Sequence, residues 1–330
     1  MMFNIVKTQG REGAETQGHM CHASWGLGVR HSGLSFLAVI IVFTLASCGK
    51  VEVVKAPRTE ADKKFVSVLD SELSYDALTR FSGETVWVYV PMEEAIIDVK
   101  AGKDGPSVSK QAQESPSLRF VEAEYKDRKF VVEYDIGTTK LYARSYGYNS
   151  TYSEEFQKRQ GHILQIINNT YYEAENPPRF FVIVIADIAR GIEIENILFY
   201  QDLRKAMAIS PELSQDEYAQ RYIADVRGLM DAIDDKSGKH LAFNDIAMEE
   251  FLAKQIKNRV NFKYTRSSFP PSEAAEQELL MAVAQTVGAY QFDDFDGVVL
   301  VDLDDLNRKD FGKSDLPEVN SGRLIHINFQ

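Results

Sequence analysis

The sequence predicts a mixed α/β (α+β) domain: an antiparallel meander, then strands alternating with amphipathic helices. Three observations carry this. Phe180–Ile188 (FFVIVIADI) and Gly297–Leu303 (GVVLVDL) are unbroken apolar runs of strand length, the pattern of strands covered on both faces. Leu118–Tyr125, Phe130–Tyr134 and Lys140–Tyr148 are strand-like runs separated by connectors of hairpin length. Ser153–Tyr172 places Phe156, Ile163, Ile166, Ile167 and Tyr171 on one helical face.

From the N-terminus each element has its own warrant. Leu34–Ala46 is 13 residues, apolar except for Ser35 and Thr44. That is short of the roughly 18 that cross a bilayer and within the about 7–15 of an export-signal core. Arg30 supplies a positive flank, and Leu45-Ala46-Ser47-Cys48 follows at once. This stretch resembles the lipobox of bacterial lipoprotein precursors. The resemblance implies lipid on the Cys48 thiol, cleavage before Cys48 and acylation of the new amino terminus. Each buried CH₂ contributes about 0.8 kcal/mol, so several acyl chains hold stably where one holds marginally. Residues 1–47 therefore read as a signal peptide, with Met20 a second candidate start and residues 1–19 a mis-assigned leader. Gly49, rather than Asp, follows the Cys; within the resembling class this favours the outer membrane over the inner.

Residues 48–64 are polar and charged, contain Pro57, and read as a lipidated tether. The domain then occupies 65–330, as one body or as two subdomains with a boundary near 209–213. Phe65, Val66, Leu69, Leu73 and Leu78 fit a helix ending near Gly83. Thr85–Pro91 reads as a strand and Ala101–Pro116, rich in Gly, Ser, Lys, Gln and Pro, as a loop. After the meander and the Ser153 helix, Glu193–Ala208 is ambiguous at its start and helical at its end. Ser214 and Glu217 have capping-box spacing, and Tyr218, Tyr222, Val226, Leu229 and Ile233 extend the predicted helix. Asp234–Leu241 is a turn-rich loop, Asp245 a cap for a helix through Arg259, Val260–Tyr264 a strand, and Ser272 the start of a helix to Tyr290. Arg323–Phe329 is strand-like. Lys140–Ile188 and Val260–Leu303 share an order of strand, Ser-started helix and apolar strand ending in Asp, which suggests a duplication with Asp187 matching Asp302.

The chain carries a net charge of −12, and −13 beyond residue 47 once Lys7, Arg11, Arg30, Glu12 and Glu15 are set aside. Such a surface lacks the electrostatic attraction that nucleic acid binding needs. Of the two cysteines, Cys21 lies in the signal and Cys48 is the lipidation residue. The mature chain is left without a disulfide, a thiol nucleophile or a Cys-based metal site.

Candidate sites are few. Val298–Asp305 (VVLVDLDD) resembles the first motif of haloacid-dehalogenase-type phosphatases, where the resemblance would make Asp302 nucleophile and Asp304 general acid beside Mg²⁺. Leu306 stands where that family has Thr or Val, and only 25 residues follow Asp305. Asp302, Asp304 and Asp305 also form a candidate divalent-cation set of hard oxygen ligands; no other cofactor is predicted. Asp187 ends a buried strand, the place where ligands gather in open α/β sheets. His240 lies in a loop with polar neighbours; His162 and His326 lack such a setting. Asp293, Asp294 and Asp296 recreate only part of a calcium loop. Ser107 and Lys110 match S-x-x-K without companion motifs, and Tyr142, Tyr146 and Tyr148 line one strand face. The reading that follows is a lipid-anchored envelope protein acting by binding or assembly, with the membrane and other envelope proteins as partners. A solute-binding lipoprotein and a metal-dependent hydrolase using Asp187 with Asp302 or Asp304 are the alternatives.

Overall fold

Two sheets are built around the two long apolar runs. The computed structural model describes residues 57–72, 76–101, 107–145, 148–208, 211–266 and 272–319. In chain order these form α1 (Arg58–Glu72), β1 (Leu78–Ser82), β2 (Thr85–Met92), β3 (Ile97–Ala101), β4 (Ser107–Lys126), β5 (Lys129–Ser145), β6 (Tyr148–Tyr152), α2 (Glu154–Tyr171), β7 (Phe180–Asp187) and β8 (Ile192–Phe199). There follow α3 (Tyr200–Ala206), α4 (Gln215–Arg221), β9 (Ile223–Gly228), α5 (Met248–Arg266), α6 (Ser272–Ala289), β10 (Gly297–Asp302) and β11 (Asn307–Gly312). One sheet has the order β1-β2-β7-β8-β9, with β2 and β7 parallel and the other neighbours antiparallel. The other has the order β11-β10-β5-β4, with β10 parallel to β5. β3 and β6 pair separately.

Side chains alternate across a strand, so a strand buried throughout must serve two cores. Every residue of β7 is buried. Phe180, Val182, Val184 and Ala186 enter one core, and Phe181, Ile183 and Ile185 enter the other. β2 repeats this, with Trp87 and Tyr89 on one side and Val86, Val88 and Val90 on the other. Phe65 and Leu69 of α1 and Phe156, Ile163 and Ile167 of α2 close the second core. In the first core Phe251, Leu252, Ile256 and Val260 of α5 meet Phe130 and Val132 of β5 and Val298 and Leu300 of β10. Each such side chain contributes about 1.5–3 kcal/mol by leaving water. Asp127 and Arg128 form the β4–β5 turn with φ of 51° and 60°. Two positive φ values match the twist of a tight hairpin. Arg128 is held there by Asp294 at 2.7 Å and Asp296 at 3.1 Å.

Several sequence expectations need correction. The meander is a long hairpin: Ile136–Thr139 continues β5 instead of turning, because β4 pairs with it along its length. The loop assigned to Ala101–Pro116 supplies the first half of β4; backbone pairing overrides a composition that has no apolar period. The helix placed at Phe65–Leu78 starts earlier, at Arg58, inside the predicted tether, and Leu78 opens β1. The Ser214 helix stops at Arg221, and Val226 pairs with Ile194 in β9. Val260–Tyr264 is helical within α5, where Val260 continues the buried row of Leu252 and Ile256 at a spacing of four. That removes the first strand of the second half of the suggested duplication, and Asp187 and Asp302 end strands of different sheets. Each sheet takes strands from both sides of 209–213, so the described residues show no division there. The signal peptide, Cys48, Tyr146, Arg323–Phe329 and His326 lie outside the described residues.

Candidate functional site

Thr85, Trp87 and Tyr89 alternate on one face of β2, and the segment from Asp234 to Ile246 runs back along them. Asp245 accepts from Glu84 N at 3.0 Å and Thr85 Oγ1 at 2.8 Å, and Ile246 N donates to Thr85 Oγ1 at 2.9 Å. Asp245 thus anchors the segment to β2 instead of capping α5. Trp87 Nε1 donates to Asn244 O at 2.7 Å, and its ring meets Phe243 edge-on at 5.7 Å. Tyr89 OH donates to Asp235 O, and its ring meets His240 at 5.9 Å. At the far end Asp234 N donates to Ile188 O at 3.0 Å and Lys236 pairs with Glu93 at 2.8 Å. Gly238 has φ +61°, and a Cβ there would meet the Tyr89 ring at 3.2 Å. Only glycine lets the strap lie this close.

His240 is the centre of this strap. Its Nδ1 lies 2.7 Å from Asp235 Oδ2 and its Nε2 2.5 Å from Glu193 Oε1. Two carboxylate acceptors call for two ring donors, the imidazolium form. The Glu193 side chain is 1% exposed and that of His240 8%. Burial alone would pull the His240 pKa down; the hydrogen bond with Asp235 and the charge of Glu193 outweigh it, and the pKa rises. Burial would raise Asp235, but hydrogen bonds from His240 and Ser237 hold it well below the usual carboxylate range. Burial raises Glu193 against the pull of His240 and Arg227. With both ring nitrogens bound to carboxylates, His240 has none left to take a proton from a substrate. The arrangement ties the strap to β8.

A second buried polar layer lies where α3, α4, α5 and α6 meet. Arg221 Nη1 donates to Asp202 Oδ1 at 2.8 Å and Nη2 to Glu217 Oε1 at 2.6 Å. Tyr290 OH donates to Asp202 Oδ2 at 2.7 Å. Arg259, 9% exposed, sits beside them.

Of the sequence candidates, His240 sits in a buried cluster of titratable groups. Asp187 accepts from Arg190 N at 3.1 Å and Arg190 Nη1 at 2.9 Å, shaping the β7–β8 turn. Asp302 accepts from Asp304 N at 3.0 Å, Asp305 from Asn307 N at 2.9 Å, and Asp304 pairs with Arg119 at 3.1 Å. Among the described residues no group of three or more His, Cys, Asp or Glu side chains is arranged to hold a metal ion. Asp187 and Asp302, which the hydrolase reading pairs, end strands of different sheets, and each is engaged in its own turn. Missed by the sequence reading were Glu193 and Asp235, partners of His240, and the Asp202–Arg221–Arg259 layer. Asp235 had one signal, its place five residues before His240 in the same loop; Glu193 had none. No family model, curated protein or solved structure matches the chain.

Proposed function

We propose that this is a lipid-anchored protein of the bacterial cell envelope that works by binding or assembly. The observation that carries the proposal is the Leu45-Ala46-Ser47-Cys48 sequence behind a 13-residue apolar run. The position of the fold fits it. α1 opens at Arg58, ten positions after Cys48, so an extended tether reaches at most about 35 Å. Arg58 grips the β1–β2 turn, donating to Gly83 O at 2.8 Å and Glu84 Oε1 at 3.0 Å. Arg58 thus lies at the start of β2, whereas the His240 cluster packs on Tyr89, four residues further along the strand. Binding is favoured over catalysis because His240 is saturated by its two carboxylates. The acidic balance favours protein partners over nucleic acid. No helix among the described residues is long and apolar enough to cross a membrane.

Metabolic labelling with an alkyne palmitate analogue tests this. Label on the wild type, absent from Cys48→Ser, with the variant released into the soluble fraction, is the expected outcome. A Cys48→Ser protein that stays membrane-bound would overturn it.

A further inference from the structure

β9 is an edge strand: among the described residues it pairs with β8 alone. Ile192 faces Gly228 in that ladder, and Leu229 N donates to Gly191 O at 2.7 Å, which fixes its phase. Bonded and non-bonded positions alternate along an antiparallel ladder. Ile223, Asp225 and Arg227 therefore turn their backbone groups toward β8, while Tyr222, Ala224, Val226 and Gly228 turn theirs outward. α5 meets the outward row at its start, where Asn258 Nδ2 donates to Tyr222 O at 3.1 Å. Further along, Asp225, Val226 and Gly228 are exposed. Val226 is 40% exposed, and Met230, just past the strand, 82%. The outward row thus combines an open backbone edge with apolar side chains in water, the setting in which a further strand adds.

We propose that β9 pairs antiparallel with β9 of a second copy, joining the two five-stranded sheets edge to edge about a two-fold axis at Val226. Such an axis sets Val226 opposite Val226 and Ala224 opposite Gly228. All three residues present outward backbone groups, so both copies meet in the same ladder phase. The axis also sets Asp225 of each copy opposite Arg227 of the other, in the closely spaced non-bonded pairs where opposite charges attract. In one copy Asp225 accepts from Arg227 Nε at 3.0 Å. In the pair the four charges alternate in sign around the axis. An axis at Asp225 or Arg227 would instead set like charges face to face and offer backbone groups already bonded to β8. The strand Ile223-Ala224-Asp225-Val226-Arg227-Gly228 is in this sense its own complement, which makes a second copy its partner. The pairing needs no lipid, so its failure leaves the Cys48 reading intact.

The test uses the full mature protein in detergent, followed by sedimentation velocity at matched solvent density. The wild type sediments as a dimer. Asp225→Lys, which sets like charges opposite each other twice, weakens association about tenfold. Chance sharing of a micelle is indifferent to that change. A monomeric wild type, or association that the variant leaves unchanged, overturns the proposal. Cross-linking gives a second readout that fixes the register. Cα atoms of a bonded pair lie about 5.5 Å apart, within reach of a disulfide. Mild oxidation therefore links Val226→Cys into a covalent dimer. Ala224→Cys sets its two thiols four residues apart along the ladder, about 13 Å, and gains no link over the wild type. A bridge through Cys48 would appear in both variants alike. Equal linking of the two variants, or a link from Val226→Cys to a different protein, overturns the pairing.

Discussion

The His240 strap and the Arg221–Arg259 layer are both buried and both charged, yet they are balanced differently. At the strap one imidazole meets two carboxylates, and each ring nitrogen has its own acceptor. In the helical layer Arg221 takes both Asp202 and Glu217, and Arg259 lies beside them bonded to Thr286. A polar cluster whose donors and acceptors match works as a fastener. One in which a single guanidinium holds two carboxylates depends on that guanidinium more than on its neighbour. Mutations that unbalance the first or relieve the second separate these roles.

The largest effect is expected at Arg221. Asp202 is 3% exposed, and burial already raises its pKa against Arg221. Arg221→Met leaves it buried beside only a tyrosine donor and should cost about 3–5 kcal/mol. Among the described residues Arg259 has no ion pair, so Arg259→Met should change stability by less than about 1 kcal/mol. Urea unfolding of the two variants gives the comparison directly. Equal losses would mean that Arg259 is as fully partnered as Arg221.

The strap comes next, and its effect depends on pH. His240 has its pKa raised above the ordinary 6.5. Its contribution is complete below pH 6.5 and is lost as pH rises through the folded-state value. The raised pKa of Glu193 acts in the same direction. Asp235 is lowered from 3.8, so its contribution holds above that pH and is lost on acidification. His240 and Asp235 together hold from about pH 4 to 6.5, and Glu193 loses its contribution as pH rises from 4.5, so the fastener is strongest near pH 4 to 4.5. His240→Gln should cost about 1.5–3 kcal/mol at pH 6, the range of a hydrogen bond to a charged group. The cost should shrink on going to pH 9. A difference that stays constant across that range would show that His240 contributes packing alone.

How much of this was legible in the sequence follows from what each residue faces. β2, β7, β10 and α2 could be read because burial on one or both faces leaves an unbroken or periodic apolar pattern. His240 could be suspected because polar neighbours surround it in a loop. Glu193 could not. Ile192-Glu193-Ile194-Glu195 alternates like a strand with one wet face, and only the strap, some forty residues later, makes that face dry. Arg259 was hidden likewise. On α5 it reads as a solvated helix residue until α4 and α6 close over it. β4 was lost because its first half has no apolar side chains at strand period and is fixed by backbone pairing to β5.

The smallest effect is expected where the sequence signal looked strongest. Asp302, Asp304 and Asp305 crowd one turn, as cation ligands would. Their oxygens are instead engaged locally: Asp302 by Asp304 N, Asp305 by Asn307 N and Asp304 by exposed Arg119. Such bonds let short acidic side chains stand in for backbone acceptors in a turn. The turn between β10 and β11 also holds Leu306 at φ 55°. An Asn side chain offers the same acceptor oxygen, so Asp302→Asn should cost less than about 0.5 kcal/mol. If the cluster only builds the turn, thermal unfolding should be the same in Mg²⁺, Ca²⁺ or EDTA, for wild type and variant alike. A rise with either ion that vanishes in Asp302→Asn would place a ligand site here and reverse the ranking of the three regions.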